Sequence, residues 1–590
     1  MTAPGLSEAP VRLRIRWPAL GPGGERDNFF VGAWHPTRSL QIEFIDAGHP
    51  PTARVSGHNW MLASATEPRR GAGLVHRDDR GGMAFRGYVM PDVHSYSPAT
   101  AIRRCWLDIG AGRNGVFSTA LIGEGGSELV LATDLLGMGA LYWRRLGDLV
   151  LFATNPRYLG RPDDRPDRFA WRYLLQTSWI AGDRSLTAEV QRVPAGCTAR
   201  FAGSGSPVLS APAWRSLPEG IRPIDSGGLA EVEGAFQQAL DRCLGLRVGG
   251  IMLPLSSGFD SRRILAGLVH RKTDFKAVTC RVLQQGDRDL DARFASQMAR
   301  DFGFPHMIVD ASDAQYLSDD ICRRALVDAE SGQHSWSIRV HHALSGNCDA
   351  LLDGVAGDIL GDPVGWSKLV GLSVGSRAAE KEIESISEHA IRSHLDSVLA
   401  PAAWPSVEEL REDLRAYLRS LQPRANLGEL AFILLRQRRD TVLWSQQLAP
   451  PGVVPLYPYL DADYLGTTLS LRSEDKHATN LQRSCLREFW PDFFRYGGNR
   501  DIPADVPPGT PEREHRRTVR CAKQLLREIE AADAIPQLRD LLAPRGRLAL
   551  AASRSIPGLA ARWAWYLRPL MELVSRQAHR IPVWESLEAP

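Results

Sequence analysis

The sequence predicts a protein of mixed class, with an α+β region at the amino terminus, an α/β region in the middle and a mostly helical remainder. Three observations lead to this prediction. Residues 1 to about 200 contain short runs rich in Val, Leu, Phe and Trp, separated by turn signals such as RDDRGG, RNG and EGG, which is typical of strands and hairpins. Helical and strand patterns alternate after about residue 225, and helical patterns dominate from about residue 380.

Composition and charge describe an ordinary globular chain. At 590 residues the chain is too long for a single hydrophobic core. Lys and Arg total 71 against 68 Asp and Glu, a formal charge of +3 that does not favour a nucleic-acid partner. We find no secretory signal and no run long and apolar enough to cross a bilayer, so we expect a cytoplasmic protein without a membrane partner. The eight cysteines are scattered, which favours reduced thiols.

Two composition changes predict the domain organisation. Residues 203–228 concentrate Gly, Ser and Pro as a connector does, and residues 501–512 (DIPADVPPGTPE) form a second break. We therefore expect a first domain over 1–210, a second over 225–505 and a helical extension over 506–590.

The middle region predicts a parallel sheet with helices on its faces. Ser226 can cap a helix whose apolar positions recur every three or four residues, namely Leu229, Val232, Phe236, Leu240 and Cys243. After it we predict strands at 251–255, 275–282, 306–310 and 350–353 and helices at 264–269 and 291–301. Strands that alternate with helices pair in parallel.

Chemistry is expected first at residues 255–262 (LSSGFDSR), between a predicted strand and helix. Small residues let backbone N–H groups point into one concavity, and the next helix presents its positive end there, so a phosphate fits. Asp260 would repel that anion unless a divalent cation lay between them, which implies Mg²⁺. The loop is not a Walker A motif, because no GxxxxGK[ST] is present. A Ser/Gly turn of this kind also occurs in α/β proteins that bind no phosphate, and that alternative stays open for the loop alone.

The loop resembles SGGxDS, the pyrophosphate loop of the ATP-pyrophosphatase superfamily, with Ser257 in place of the first glycine. Members of that superfamily cleave ATP between the α and β phosphates and adenylate a substrate. The resemblance implies ATP and Mg²⁺ as cofactors. It implies nucleotide-binding roles for the loop residues Leu255, Ser256, Ser257, Gly258, Asp260 and Ser261.

Further segments resemble the asparagine synthetase-like family. Residues 351–359 (LLDGVAGDI) are similar to its second signature, SGxGxDE, so that Asp358 would hold Mg²⁺ together with Asp260, and Gly354 would lie against the nucleotide. Residues 454–465, 435–447, 129–159 and 191–196 resemble other ordered segments of the family. The implied fold is a glutaminase-type, Ntn-hydrolase-like αββα sandwich followed by a PP-loop domain of the adenine nucleotide α-hydrolase-like kind, with a parallel sheet and many helices.

The sequence departs from glutamine-dependent asparagine synthetases at its start. It begins Met1-Thr2-Ala3, and its first cysteine is Cys105, so we expect a degenerate glutaminase domain and an amine that arrives as a substrate. That pattern is similar to the natural-product branch of the family, the β-lactam synthetases, carbapenam synthetases and lasso peptide cyclases. We therefore expect a ligase that joins a small-molecule or peptide carboxylate to an amine. A precursor peptide and its protease are the partners that a cyclase role implies.

The sequence offers candidates for two further roles, the catalytic proton acceptor and the late cation. Val355 stands where asparagine synthetases have a glutamate, and valine cannot take a proton, so Glu380, Glu382 and Glu330 are candidates for the general base. Arg500 is the candidate for the late lysine of the family, which stabilises charge on phosphate and carbonyl oxygens.

Three other functions stay open. The chain could be an asparagine synthetase that uses free ammonia, or a catalytically inactive scaffold or binding relative. Adenylation of transfer RNA by the same loop chemistry is disfavoured by the near-neutral charge.

Overall fold

We describe the fold from a computed structural model of the chain. The residues described are 9–16, 29–45, 51, 53–65, 75–91, 93–94, 97, 112–225, 227–281, 289–311, 316–334, 336–363, 376–422, 424–496, 523, 527, 535–555, 568–574, 576 and 584–586. The fold is mixed α/β, with several sheets, one of them parallel, and many helices.

The amino-terminal third is built from strands, as the sequence predicts. Among the described residues they are β1 (Val11–Arg16), β2 (Phe30–Trp34), β3 (Leu40–Ile45), β4 (Ala53–Ser56), β5 (Trp60–Ser64), β6 (Val75–Asp78), β7 (Gly81–Val89), β8 (Val93–His94), β9 (Gly115–Ile122), β10 (Leu129–Thr133), β11 (Tyr142–Leu146), β12 (Leu149–Ala153), β13 (Gln191–Arg192), β14 (Thr198–Phe201) and β15 (Val208–Leu209). Short 3₁₀ turns lie at Glu124–Gly126, Pro156–Tyr158 and Ala213–Ser216.

Two antiparallel sheets pack face to face. One has the order β15-β14-β10-β9-β7-β6, with β8 beside β7, and the other has the order β13-β11-β12-β2-β5-β4. A buried apolar layer separates them, formed by Phe30, Trp34, Leu62 and Phe152 from one sheet and by Ala120, Ile122, Leu129 and Leu131 from the other. Facing sheets that bury both inner faces make a β-sandwich.

Asp134, which follows β10, holds the turn that leads into the second sheet. Its carboxylate accepts N–H groups from Phe117 (3.3 Å), Leu136 (3.1 Å), Met138 (3.1 Å) and Gly139 (2.7 Å), and the residue is 1% exposed. We expect Asp134→Ala to lower the free energy of unfolding by about 3–5 kcal/mol, because buried donors lose their partner. Urea unfolding followed by circular dichroism measures this.

The control for Asp134 is Asp163→Ala. Asp163 is an exposed aspartate whose side chain forms an ion pair with Arg161 at 3.2 Å. Its loss is expected to cost less than about 0.5 kcal/mol. A cost below about 1 kcal/mol for Asp134→Ala would contradict the role given to this carboxylate.

The carboxyl-terminal residues contain a strand that the sequence did not predict. β21 (Trp584–Ser586) pairs antiparallel with β1, which pairs parallel with β3, so a three-stranded sheet joins the two ends of the described chain. The predicted helical extension over 506–590 contains helices at Ile535–Leu541 and Pro544–Ser555, and β21 lies near its end.

The described α-helices begin with one that lies between strands of the sandwich, and the others follow it in the chain. They are α1 (Arg168–Thr177), α2 (Gly228–Gly245), α3 (Phe259–His270), α4 (Leu290–Phe302), α5 (Tyr316–Leu326), α6 (Ser337–Leu344), α7 (Gly357–Gly361), α8 (Ser376–Ala390), α9 (Val407–Ser420), α10 (Leu427–Phe432), α11 (Leu443–Gln446), α12 (Ala462–Ser470), α13 (Ser473–Thr479), α14 (Leu481–Phe489), α15 (Pro491–Phe494), α16 (Ile535–Leu541) and α17 (Pro544–Ser555). A π-helical segment, Ile433–Thr441, joins α10 to α11, and 3₁₀ turns lie at Ser393–Leu395 and Pro458–Leu460.

The parallel sheet has five strands, in the order β18-β17-β16-β19-β20. Its strands are β16 (Ile251–Pro254), β17 (Phe275–Arg281), β18 (His306–Asp310), β19 (Ala350–Leu352) and β20 (Val454–Leu456), and every adjacent pair is parallel. The sequence predicted the first four within one or two residues, because each is a short apolar run bounded by turn or helix signals. Helix α2 likewise buries Val232, Phe236, Leu240 and Cys243 on one face, as its periodicity indicates.

Further predictions concern the cap Ser226, the connector, the cysteines and membrane-spanning segments. The proposed cap Ser226 lies outside the described residues, and the connector over 203–228 contains β15 and a 3₁₀ turn as well as irregular chain. Six cysteines lie in the described part of the chain, and five of them are buried. Among the described residues, we find no helix with the length and apolar character needed to cross a membrane.

Candidate functional site

The candidate site lies where the strand order of the parallel sheet reverses. β16 is the central strand: the chain passes from it to β17 on one side, and β19 lies on the other. The loop after β16 and the loop after β19 therefore leave neighbouring strands at the same edge of the sheet. A crevice forms at such a switch point, and ligands of open α/β sheets bind there.

The first loop is organised by its own hydroxyl groups. Ser256 N–H donates to Ser261 Oγ at 3.2 Å, and Gly258 N–H donates to Ser256 Oγ at 3.1 Å. Ser257 turns away and is 1% exposed, with its N–H (2.7 Å) and its Oγ (2.6 Å) both donating to Asp291 Oδ1. Leu255, Ser256, Gly258 and Ser261 line the cleft, whereas Ser257 supports the loop from behind.

The second loop brings backbone against the first. Ala356 adopts φ +71°, a left-handed conformation that costs an L-residue energy and that marks a constrained turn. A Cβ atom at Gly357 would stand 2.7 Å from Asp260 Cγ, closer than a side chain tolerates. Glycine at this position therefore lets α7 approach the aspartate of the first loop.

Asp260 and Asp358 face each other across this contact. Burial raises the pKa of Asp260 well above its ordinary value, and the negative charge of Asp358 raises it further, while Arg263 lowers it. Burial also raises the pKa of Asp358, whereas the N–H group of Ile359 and the charge of Arg436 lower it. The two carboxylates thus repel each other in the absence of a cation.

The hydrogen bonds of these two side chains leave room for a cation. Asp358 Oδ1 accepts Gln437 Nε2 at 3.2 Å, and Asp260 Oδ1 is buried without a hydrogen-bond partner. No cluster of three or more His, Cys, Asp or Glu with metal-binding spacing occurs in the part of the chain that the structure describes. Mg²⁺ is usually held by one or two carboxylates plus substrate phosphates and water, so the pair fits Mg²⁺ bound to a nucleotide rather than a protein-only metal centre.

The cleft around this pair has a volume of about 430 Å³. Both loops contribute to its lining, as do the indole rings of Trp336 and Trp444, whose centroids are 5.3 Å apart. Its lining is formed by Pro254, Leu255, Ser256, Gly258, Asp260, Ser261, Val278, Thr279, Cys280, Asp289, Leu290, Asp291, His334, Trp336, Val340, Asp353, Gly354, Val355, Ala356, Asp358, Thr441 and Trp444.

Glu380 and Glu382, two of the predicted catalytic residues, do not belong to the lining of this cleft. Glu380 is exposed on α8 and pairs with Arg419 at 3.3 Å. Glu382 is half-buried and accepts the N–H of Gly428 at 3.1 Å, and burial raises its pKa to about 7. Arg500 lies outside the described residues.

Glu330, the third candidate for the general base, and the two arginines after the first loop also point elsewhere. Glu330 is 1% exposed and accepts the hydroxyl of Tyr142 in the sandwich. Arg262 donates to the carbonyl oxygens of Tyr496 (2.6 Å) and Ser257 (2.5 Å), and Arg263 pairs with Glu233 at 2.8 Å. Both arginines are fully buried, so neither reaches a phosphate or solvent.

Sequence reasoning missed several residues that line the cleft, above all Asp353, Trp336 and Trp444. Asp353 could have been found, because it ends a predicted strand of a parallel sheet, where ligands bind. Trp444 lies in the segment 435–447 that resembles the family, but nothing in the sequence places its ring. Trp336 carried no signal at all, since its position depends on how α6 packs against β17 and α11.

Comparison with known proteins adds little to this geometry. No protein-family model matches the chain, and no curated protein matches it. Among solved structures, the chain has 11% identity and a TM-score of 0.19 to a glutamine phosphoribosylpyrophosphate amidotransferase from B. subtilis complexed with ADP and GMP, over 45% of this chain and 79% of that chain. A likeness this weak decides neither fold nor function.

Proposed function

We propose that this chain is an ATP-dependent ligase that activates a carboxylate as an acyl-adenylate, converts ATP to AMP and pyrophosphate, and joins the acyl group to an amine. The observation that carries the proposal is the pairing of Asp260 and Asp358 across adjacent loops at the switch point of the parallel sheet. Two facing carboxylates beside a strand-to-helix loop suit a nucleotide whose phosphates bring Mg²⁺ with them.

Each part of the cleft has a task in this proposal. Asp260 and Asp358 would hold Mg²⁺, which supplies charge neutralisation on the phosphates. Leu255, Ser256, Gly258, Ser261 and Gly354 form the surface against which the nucleotide lies, and Gln437 fixes one oxygen of Asp358. Holding both reacting groups in one cleft makes their reaction effectively intramolecular.

The finer family assignment is also a proposal. We infer an asparagine synthetase-like chain of the natural-product, amide-forming branch, with a glutaminase-type sandwich before a PP-loop domain and an extension after it. Support comes from two antiparallel sheets that pack face to face, followed by a parallel sheet with a switch point. A peptide substrate, with a precursor peptide and its protease as partners, is the form that a cyclase would take.

Titration with α,β-methylene-ATP, an analogue that cannot be cleaved between the α and β phosphates, tests the proposed function. Calorimetry is expected to show one site in the presence of Mg²⁺ and at least a tenfold loss of affinity in EDTA, because the paired carboxylates repel a free triphosphate (a tenfold change is about 1.4 kcal/mol). No detectable binding with Mg²⁺ would favour a non-catalytic scaffold. Asparagine formed from aspartate, ammonium and Mg–ATP would identify the ammonia-using alternative.

A further inference from the structure

Asp353 is a buried carboxylate of the cleft with an unused oxygen. It follows β19 and is 5% exposed. The N–H groups of Gly354 and Val355 and the hydroxyl of Ser445 donate to its carboxylate, yet Oδ2 is buried without a hydrogen-bond partner. A buried carboxylate oxygen without a partner is costly unless a ligand supplies the missing donor.

Two aromatic rings belong to the lining of the same cleft. Ser445, which bonds to Asp353, directly follows Trp444, and the ring of Trp444 lies 5.3 Å from that of Trp336. Both indoles line the cleft together with Asp353. The hydroxyl of Ser445 also hydrogen-bonds to Tyr457 Oη at 3.0 Å, and Tyr457 directly follows β20.

A carboxylate and two indole rings that line one cleft have the chemistry of an ammonium site. The carboxylate accepts a charge-assisted hydrogen bond, and indole faces attract a cation more strongly than other aromatic rings do. A neutral hydroxyl would gain only the first of these interactions, in weaker form, and a second carboxylate would be repelled.

We propose that Asp353, with Trp336 and Trp444, binds the ammonium group of the amine substrate and that Asp353 accepts a proton from it. This inference rests on the proposed function, because it assigns the second substrate of the same cleft. It also answers what Val355 leaves open, since a proton acceptor stands two residues before that valine.

The amine arrives protonated and must lose two protons to form the amide. One proton passes from the ammonium nitrogen to Asp353 Oδ2, and the freed lone pair attacks the carbonyl carbon of the acyl-adenylate. A C–N bond forms, the C–O bond to the phosphate breaks, and AMP leaves with that electron pair. The second nitrogen proton leaves to the phosphate of AMP. Burial raises the pKa of Asp353 to about 7, which suits a group that takes and returns a proton near neutrality.

Two probes of equal shape test the site without knowledge of the natural substrate. The protein is saturated with Mg²⁺ and α,β-methylene-ATP at about pH 8, where a primary alkylamine is protonated. It is then titrated with 2-phenylethylammonium and with 2-phenylethanol, and tryptophan fluorescence and calorimetry are recorded. We expect the amine to bind at least about tenfold tighter than the alcohol.

Substitutions then show which side chains cause the difference in affinity between the amine and the alcohol. Asp353→Asn is expected to abolish the preference for the amine and to leave the affinity for the alcohol within about twofold. Trp444→Leu is expected to weaken the amine several-fold. Equal affinity of the two probes for the unchanged protein would overturn the proposal, as would a preference that survives Asp353→Asn or no binding of either probe at about 10 mM.

The nucleotide titration and the amine titration test the proposed function and the ammonium site separately. Failure of the nucleotide analogue to bind counts against the proposed function, and the probes are then titrated into the protein alone. A preference for the amine that depends on Asp353 under those conditions supports the ammonium site by itself. Normal binding of the analogue with no amine preference overturns the ammonium site and leaves the proposed function standing.

Discussion

Asp358→Asn is expected to lower the affinity for Mg²⁺ and α,β-methylene-ATP about 100-fold, or about 2.7 kcal/mol. Asp260→Asn is expected to do the same. Each substitution removes one of the two anionic groups that face each other in the cleft, and a neutral amide holds Mg²⁺ much more weakly than a carboxylate does. Calorimetry with the nucleotide analogue measures both losses.

The same substitutions are expected to leave the ligand-free protein as stable or to make it more stable. Burial raises the pKa values of both carboxyls, and the charge of Asp358 raises that of Asp260 further, so their charged forms are disfavoured in the folded chain. An amide removes that penalty. A lost affinity with an undiminished melting temperature therefore separates a binding role from a structural one.

Asp362→Asn is the matched control for Asp358→Asn. Asp362 follows the same short helix α7, but its carboxylate accepts Asn480 Nδ2 at 2.9 Å and contacts His477 at 2.8 Å, away from the cleft lining. We expect its affinity for the analogue to stay within about twofold of the unchanged protein. An equal loss in both variants, or no loss in Asp358→Asn, would contradict the metal site.

The sequence was sufficient for those parts of the fold that depend on local patterns. The strands 251–255 and 306–310 and the helix with Val232 and Phe236 follow from periodicity, and β16, β18 and α2 lie where it predicts them. The two site loops were predicted from their resemblance to family signatures, which implied that Asp260 and Asp358 act together. That the loops leave neighbouring strands at one edge of the sheet is a finding of the structure, because the strand order cannot be obtained from local patterns.

Long-range contacts explain what the sequence could not predict. β21 pairs with β1 from the opposite end of the described chain, and such a pairing leaves no local pattern. Glu380 and Glu382 were nominated from their approximate position, but α8 packs with α9 and α10 rather than at the cleft. Trp336 reaches the cleft only through the packing of its helix.

The π-helical segment Ile433–Thr441 connects the cleft to the amino-terminal sandwich. Gln437 bonds to Asp358, and the next residue, Arg438, pairs with Asp183 at 2.6 Å and donates to the carbonyl oxygen of Val193 at 3.0 Å. Wide helical turns let successive side chains point in different directions and are frequent at functional sites. The sandwich therefore supports the residue that orients one candidate metal ligand.

Lys476→Met is expected to lower the free energy of unfolding by about 3–5 kcal/mol. Lys476 is fully buried, pairs with Glu429 and donates to the carbonyl oxygen of Thr468 at 3.0 Å, while Ser473 also donates to Glu429. Methionine fills a similar volume but leaves the charge of Glu429 buried without its cation. Urea unfolding measures the loss, and Lys381→Met, at an exposed lysine, should change stability by less than about 0.5 kcal/mol.

A double variant shows whether the unpaired charge is the cause. Lys476→Met combined with Glu429→Gln removes both charges and is expected to recover at least about half of the loss, whereas a purely steric defect would persist. Glu429 lies on α10, which continues directly into the π-helical segment that carries Gln437 to Asp358. Lys476→Met should therefore also weaken binding of the nucleotide analogue. The double variant should restore that binding together with the stability. Stability lost without any change in that affinity would show that the buried pair and the cleft are independent.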